Sequence, residues 1–532
     1  MPEQIHRGQA AAPGLAIGPL VRIAGPATIT VAAGSPDEEV ERLRAALARA
    51  GAELRRLAAS DTGMGADILE FQLELLADPE LSAPAFAAIA SGSAAAEAWG
   101  MSLGAQIAGY DAAEDEYFRA RASDLSDLRD RVLETLAGEA AAPLDLPSGA
   151  ILLDRDLTPS RFLAVDWRRL GGAALEHGSP ASHVAMLARA RGVALVTGLG
   201  GPIEAASEAV LDAEAGVLVT SPAPRTRADY VDRLARRAVD DAAAVSALAA
   251  PAVTASGERV EVMLNVDHPD AVSDELLAAS DGVGLFRTEF LFLGRADLPG
   301  EAEQLAAYAA LLDRLHGKPC IVRTLDIGGD KPLPGVSLPA ESNPFLGLRG
   351  LRLCLERPDL FRPQVRALLR AAARGPLKIM LPMVATADEL AEARRLFDAC
   401  LAELRATGRD AAMPPLGIMV ETPAAAVAID LIPADFYSIG SNDLTQYVMA
   451  ASRDGGGRVA ALNDPLHPAM LRLIGQVVRH GQERGIEVSL CGDLASDPAG
   501  VAALLGLGLR RFSVAPAALG RVKLAVAGFG GG

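Results

Sequence analysis

Leu416-Gly417-Ile418-Met419-Val420-Glu421-Thr422-Pro423-Ala424-Ala425 is an apolar run that stops where a carboxylate begins. The same form recurs through the second half of the chain. The apolar runs are Val260 to Leu264, Gly282 to Phe286, Cys320 to Val322, Ile379 to Leu381, Leu416 to Val420, Phe436 to Ile439, Glu487 to Leu490 and Phe512 to Val514. Most intervals between them carry helical patterns, such as Glu389 to Leu404 and Pro468 to Glu483. Eight strand-then-helix units predict a (β/α)8 barrel, whose chemistry sits on the loops after the C-terminal ends of the strands. Those positions hold Asn265, Arg287, Arg323, Asp326, Glu421, Asn442, Asp443 and Cys491. Cations, carboxylates and one thiol in that placement suit a small, strongly anionic substrate handled with a metal.

Outward from the barrel, 532 residues allow two to four domains with large cores. A formal net charge of −18 argues against nucleic acid or an anionic membrane as partner, so arginines at strand ends run against the overall charge. Gln4, His6 and Arg7 interrupt any apolar leader, and no run reaches the roughly 18 apolar residues of a membrane span. The expectation is no membrane insertion. Cys320, Cys354, Cys400 and Cys491 lie far apart without zinc spacing, which predicts reduced thiols and a cytoplasmic protein.

Residues 1–30 look β-like around Ala16-Ile17-Gly18-Pro19-Leu20-Val21. Ser35-Pro36-Asp37-Glu38 then reads as a capping box opening a helix, with Val40, Leu43, Leu47 and Leu54 at helical spacing. Periodic stretches at Ile68 to Leu76, Ala94 to Tyr110 and Leu125 to Leu136 extend this into a helical bundle over about 35–138. Its acidic residues, Glu70, Glu74, Asp78, Glu80 and Asp111 to Glu116, form a solvated face able to dock a basic partner. Short strands follow at Ala150 to Leu153, Gly172 to Leu175, Ala194 to Val196 and Ala209 to Asp212, the last turning into Val217 to Val219 as a hairpin. The first residues rejoin this sheet, which makes the bundle an insertion. A charged helix from about Arg227 to Ala249 connects to the barrel and closes at Pro251.

In the middle domain, Glu176-His177-Gly178-Ser179-Pro180-Ala181-Ser182-His183 places His183 in the first turn of a helix. Backbone N–H groups and the positive dipole end there favour a negative group on the imidazole. The structural alternative is a capping or packing histidine, and His177 is a competitor. In the barrel, Arg287, Arg323 and Arg453 offer forks for phosphate and carboxylate, while Gly328-Gly329-Asp330-Lys331 adds a flexible turn and another cation. Glu421 and Asp443 suit Mg2+, which takes one or two carboxylates with phosphate oxygens and water. Asn442 suits a carboxylate, and Cys491 has a thiol able to donate a proton. Taken singly, each of these residues has a structural reading, as a member of an Arg–carboxylate pair or as a small packing residue.

Five segments carry a resemblance. Gly282-Val283-Gly284-Leu285-Phe286-Arg287-Thr288-Glu289-Phe290, Arg323-Thr324-Leu325-Asp326-Ile327-Gly328-Gly329-Asp330-Lys331, Asn343-Pro344-Phe345-Leu346-Gly347, Val420-Glu421-Thr422-Pro423-Ala424-Ala425 and Ser438-Ile439-Gly440-Ser441-Asn442-Asp443-Leu444-Thr445-Gln446-Tyr447 resemble enzyme I of the phosphoenolpyruvate-dependent phosphotransferase system. The likeness covers nearly the whole chain and keeps the order of parts. It implies a swivelling phosphohistidine α/β domain at 1–30 and 140–224, with an inserted helical carrier-docking bundle at 31–139. A helical linker at 225–252 and a phosphoenolpyruvate-binding, dimerising (β/α)8 barrel at 253–532 follow. It implies His183 as the phosphorylated residue and Cys491 as proton donor. Arg287, Arg323, Arg349, Asn442, Asp443 and Arg453 become phosphoenolpyruvate ligands, and Glu421 and Asp443 Mg2+ ligands. The partners it implies are a histidine-containing phosphocarrier and a second copy of the chain.

The chain departs from the family pattern Gly-Gly-Arg-Thr-Ser-His, reading Gly178-Ser179-Pro180-Ala181-Ser182-His183. Asp493 stands where Glu is usual, and Ser452 where Asp commonly precedes Arg453. A pyruvate–phosphate dikinase or phosphoenolpyruvate synthase needs a nucleotide-binding domain, and no glycine-rich phosphate loop is present. A regulatory protein that only senses phosphoenolpyruvate is the rival from another class.

Overall fold

A computed structural model describes residues 2–23, 34–59, 64–111, 116–138, 146–180, 182–292, 297–328, 341–452 and 459–530. The chain forms two compact units, Met1–Arg237 and Ala238–Gly532. Among the described residues no helix is long and apolar enough to cross a membrane.

The first unit is built on an eight-stranded sheet of β1 (Gln4–Arg7), β2 (Gln9–Ala12), β3 (Leu15–Arg22), β4 (Ile151–Asp154), β5 (Gly172–Leu175), β6 (Leu195–Thr197), β7 (Ala206–Asp212) and β8 (Val217–Thr220). Its order is β1-β8-β7-β3-β4-β5-β6-β2. Only Gly8 separates β1 from β2, yet they form opposite ends of that order, so the sheet bends until its two edge strands meet at that residue. The close approach needs glycine: a Cβ on Gly8 would lie 2.4 Å from the Thr197 carbonyl oxygen. The expected hairpin is present, with β7 antiparallel to β8.

β3 and β4 are parallel neighbours, and the described residues between them form five helices. These are α1 (Pro36–Ala59), α2 (Met64–Ala77), α3 (Pro79–Ala90), α4 (Ala95–Asp111) and α5 (Glu116–Leu136). The capping box forms: Ser35 N–H donates to Glu38 Oε2 at 2.8 Å, and Glu38 N–H to Ser35 Oγ at 3.4 Å. Leu43, Leu54, Trp99, Leu103, Leu128 and Val132 share one buried core. The helix α3 was not among the periodic stretches. Its signal is Asp78-Pro79, an Asp N-cap whose Oδ1 accepts Glu80 N–H at 2.9 Å, with Pro at the first position. Residues 112–115 of the acidic run lie outside the described residues. Two short helices, α6 (Pro159–Ala164) and α7 (His183–Arg191), follow among the described residues, and the long connector α8 (Pro224–Ala247) comes after β8.

The second unit is a closed, all-parallel barrel of β9 (Glu261–Val266), β10 (Val283–Phe286), β11 (Cys320–Arg323), β12 (Leu377–Leu381), β13 (Leu416–Val420), β14 (Phe436–Ile439), β15 (Glu487–Leu490) and β16 (Arg511–Val514). Asn265 and Arg323, expected just beyond their strands, are the last or next-to-last strand residues, because the ladder pairs them with Leu285 and Met380. Leu285, Ile321, Met380, Met419, Phe436 and Cys491 fill the interior as a packed core rather than a pore. Gly417 makes that packing possible, since a Cβ there would sit 2.6 Å from the Phe436 ring. The N-terminal ends of the strands are tied by Lys378–Glu487 at 2.7 Å, Arg511–Glu487 at 2.8 Å and Arg511–Glu261 at 2.9 Å. The opposite end is left for chemistry.

Candidate active site

At the C-terminal face of the barrel, four carboxylates surround two guanidiniums. Arg323 reaches Glu289 Oε1 at 2.9 Å and Asp326 Oδ2 at 3.0 Å. Arg349 grips Asp326 at 3.0 and 3.1 Å and Asp443 at 3.2 and 3.1 Å, a double fork that joins the loop after β11 to the helix Ser441–Met449. Burial opposes the charge on both arginines, yet Glu289, Asp326 and Glu421 around Arg323, and Asp326 and Asp443 around Arg349, hold their pKa values above the ordinary one. Both stay cationic. A segment with two special glycines carries Arg349: Gly328 (φ 115°) bridges to Arg349, and Gly350 (φ 58°) follows it.

Glu421, 1% exposed, stands just past the end of β13 and accepts the Met383 N–H at 2.6 Å. Met383 adopts φ 59°, a conformation that costs a non-glycine residue about 1–3 kcal/mol and clusters at functional sites. Burial first, then the charges of Asp326 and Asp443, push the Glu421 carboxyl up to about 8, against the pull of Arg323 and Arg349. A raised carboxyl beside a second carboxylate marks a surplus of negative charge. A dication relieves that surplus, so the site fits Mg2+. Among the described residues no three His, Cys, Asp or Glu side chains converge to hold a metal unaided. Two carboxylates completed by phosphate oxygens and water are what Mg2+ usually takes.

Cys491, buried just past β15, has its Sγ 3.7 Å from the Ile439 carbonyl oxygen. Burial raises its pKa, so the thiol keeps its proton, while Arg287 and Arg323 act on it in the other direction. Its carbonyl accepts Asn265 Nδ2–H at 3.1 Å, and Asn265 in turn accepts Ser513 Oγ–H at 2.7 Å. Asn442 and Asp493 bond reciprocally at 3.0 and 2.9 Å. Arg287 lies at the rim, paired with Asp267 at 2.5 Å. Arg323, Arg349, Glu421, Asp443 and Cys491 are thus brought into one electrostatic cluster, with Arg287 at its edge and Asn442 on an adjoining pair. Arg453 and Gly329-Asp330-Lys331 lie outside the described residues.

In the first unit His183 opens α7, whose N-cap Ser182 accepts Ala185 N–H at 3.2 Å. The preceding turn is pinned by Arg189, which donates to the carbonyls of Ala11 at 2.7 Å and Pro180 at 2.9 Å. His183 is partly exposed, and its Nδ1 lies 3.6 Å from Asp124 Oδ1, a buried oxygen of α5 with no hydrogen-bond partner. His177 is exposed and has its backbone bonded to Arg155 and Gly198.

Four neighbours of these residues were given no role from the sequence: Glu289 and Tyr447, which fall in the segments quoted above, and Met383 and Asp124. Tyr447 stands one helical turn after Asp443, a spacing that carries a signal; its hydroxyl donates to the Phe345 carbonyl at 2.6 Å and accepts from Arg349 at 3.4 Å. Nothing local marks Met383 or Asp124.

Three family models match in order: "PEP-utilising enzyme, N-terminal" over 7–121, "PEP-utilising enzyme, mobile domain" over 146–216, and "PEP-utilising enzyme, PEP-binding domain" over 242–529. The phosphoenolpyruvate-protein phosphotransferase of Bacillus sp. (strain S) is 40% identical over 527 residues, covering 96% of this chain and 91% of the relative. That of Bacillus subtilis (strain 168) is 37% identical over 522 residues, covering 96% and 91%. A multiphosphoryl transfer protein of Rhodobacter capsulatus is 40% identical over 464 residues, covering 86% of this chain and 55% of its own length. With matches of that extent, and a barrel whose charged mouth stands at the strand ends, the chain belongs to the phosphoenolpyruvate-protein phosphotransferases, the enzyme I family of the phosphotransferase system.

Proposed function

We propose that this chain moves the phosphoryl group of phosphoenolpyruvate onto His183 and then onto a histidine of a small phosphocarrier, releasing pyruvate as the first step of a phosphotransferase system. The single observation that carries the reading is the preformed pair Arg323, buried, and Arg349, partly buried, both charged and fixed by carboxylates at the barrel mouth. Phosphoryl transfer asks mainly for positioning and for positive charge where the transferring oxygens gather, and a held guanidinium supplies both without reorganisation. Arg287, Asn442 and Arg453 complete the ligand set. Glu421 and Asp443 would hold Mg2+, which supplies neutralising charge to the phosphate oxygens.

Asp124 facing Nδ1 favours the tautomer with its proton there, leaving the Nε2 lone pair free to attack phosphorus in line. The N–P bond forms as the P–O bond to the enol oxygen breaks. The enolate then takes a proton at carbon from Cys491, whose burial keeps the thiol protonated until that moment. The thiolate regains its proton from solvent. Solvent-exposed apolar side chains on the barrel, Val427, Leu431 and Leu462, are consistent with a homodimer. The free thiols of all four cysteines suit a cytoplasmic protein.

Pyruvate release tests the relay. With phosphoenolpyruvate and Mg2+ alone the chain gives a single burst, because phosphorylated His183 has nowhere to pass its group. Adding a histidine phosphocarrier turns the burst into continuous turnover. Sustained pyruvate formation without a carrier, with inorganic phosphate accumulating, would show a phosphatase instead.

A further inference from the structure

Two of the side chains that meet the substrate in this reading, Arg287 and Arg323, stand just after β10 and at the end of β11, and something must set these adjacent segments against each other. Gln364, on the outer helix Pro358–Ala371, is 1% exposed among Leu360, Phe361, Val365 and Leu368. A buried amide is costly unless its hydrogen bonds are made. Gln364 makes them. Its Oε1 accepts Leu325 N–H at 2.9 Å, and its Nε2 donates to Thr288 Oγ1 at 3.1 Å and to Tyr308 Oη at 3.3 Å.

Each partner passes its own proton onward. Thr288 Oγ1 donates to the Arg323 carbonyl at 3.0 Å, and Tyr308 Oη to Gln304 Oε1 at 3.1 Å; Gln304 Nε2 donates to the Pro299 carbonyl at 3.0 Å. The array has one workable polarity: turning the Gln364 amide over would set two donors against each other at Leu325. Its inner ends fall next to the chemistry. Thr288 sits between Arg287 and Glu289, and Leu325 immediately precedes Asp326. Among the described residues the two segments also meet at Glu289 Oε1, which accepts from Arg323 at 2.9 Å and from Asp326 N–H at 3.0 Å.

We infer that Gln364 is a positioning residue for phosphoenolpyruvate, acting from outside the barrel by locking the Arg287–Glu289 segment to the Arg323–Asp326 segment. The inference rests on the proposed function, since those segments matter only if they hold the substrate. A buried network with a purely structural role would support the fold equally well from any face. This one ends on the two backbones that carry the substrate arginines, where a shift of about 1 Å is worth up to roughly 100-fold in rate.

Gln364→Met keeps the volume and removes all three bonds. Gln364→Glu keeps the acceptor for Leu325 but, when ionised, has no proton for Thr288 or Tyr308. Phe397→Leu serves as control: its ring, on the helix Ala387–Ala406, packs edge-on against Phe361 of the Gln364 helix. On the full chain, phosphoenolpyruvate Kd by calorimetry and its KM are expected to rise about 10- to 100-fold in both Gln364 variants. The rate of phosphoryl transfer from the phosphorylated chain to the carrier should not change. Phe397→Leu should lower the thermal midpoint without moving Kd. In an Arg323→Lys background, Gln364→Met should add less than it does alone. A folded Gln364 variant with wild-type Kd, or a Kd that only follows the thermal midpoint as in Phe397→Leu, overturns the inference. If Arg323→Lys itself leaves Kd unchanged, the site reading fails instead.

Discussion

At position 421 the chain keeps a carboxylate in surroundings that oppose its charge. Burial and the charges of Asp326 and Asp443 raise the Glu421 carboxyl to about 8. An unfolded glutamate titrates near 4.3 (about). Between those values the folded chain holds a proton that the unfolded chain lacks. The stabilising contribution is therefore complete below the unfolded value and fades as pH rises through the folded one. In metal-free protein the thermal midpoint should fall more steeply from about pH 4 to about pH 8 than in Glu421→Gln, and over that range Mg2+ should bind more tightly as pH rises because a proton must leave. Parallel slopes for the two proteins would contradict the assignment. Arg323, Glu421, Asp443 and Cys491 were legible because each follows or ends an apolar run, so position alone marked them. Arg349 follows no such run and was legible only through the family motif. Met383 left no mark, since nothing in a side chain announces φ 59° at a non-glycine. Gln364 did leave one: it lies three residues after Phe361 and four before Leu368, a polar residue on a buried helical face.

Among the elements, the loop after β11 shows how local backbone serves the site. Gly328, at φ 115°, pairs with Arg349, and a Cβ there would stand 2.2 Å from the Leu348 carbonyl oxygen. Gly328→Ala should destabilise the chain by at least about 1 kcal/mol. It should also weaken phosphoenolpyruvate binding, because the bridge carries Arg349 to Asp326 and Asp443. Thermal unfolding and calorimetry read the two effects; an alanine variant with unchanged affinity would detach Arg349 from substrate binding. The eight barrel strands were readable because buried parallel strands are short continuous apolar runs closed by turn residues. The capped start of α1 was readable from Ser35 to Glu38, and the start of α7 from the turn before His183. The helix α3 escaped because Pro84 falls inside it and its apolar residues lack clear spacing, so the only signal was its cap. At the strand ends, pairing rather than polarity sets the limits, which is why β9 runs past Asn265.

For the molecule as a whole, the order of parts was visible from changes of period along the chain: alternation, then helical spacing, then short apolar runs, then the eightfold repeat. What periodicity does not carry is contact across long separations. The insertion of the bundle between neighbouring strands β3 and β4 brings Asp124 to His183 within the first unit, though neither residue's local sequence points to the other. That contact supports the proposal that His183 is the nucleophile, the claim on which the relay depends. The most direct measurement is phosphopeptide mapping after brief exposure to labelled phosphoenolpyruvate and Mg2+. The account predicts one acid-labile, alkali-stable label on the peptide holding His183, absent from folded His183→Ala. Undiminished label in that variant, on His177 or any other residue, would contradict it.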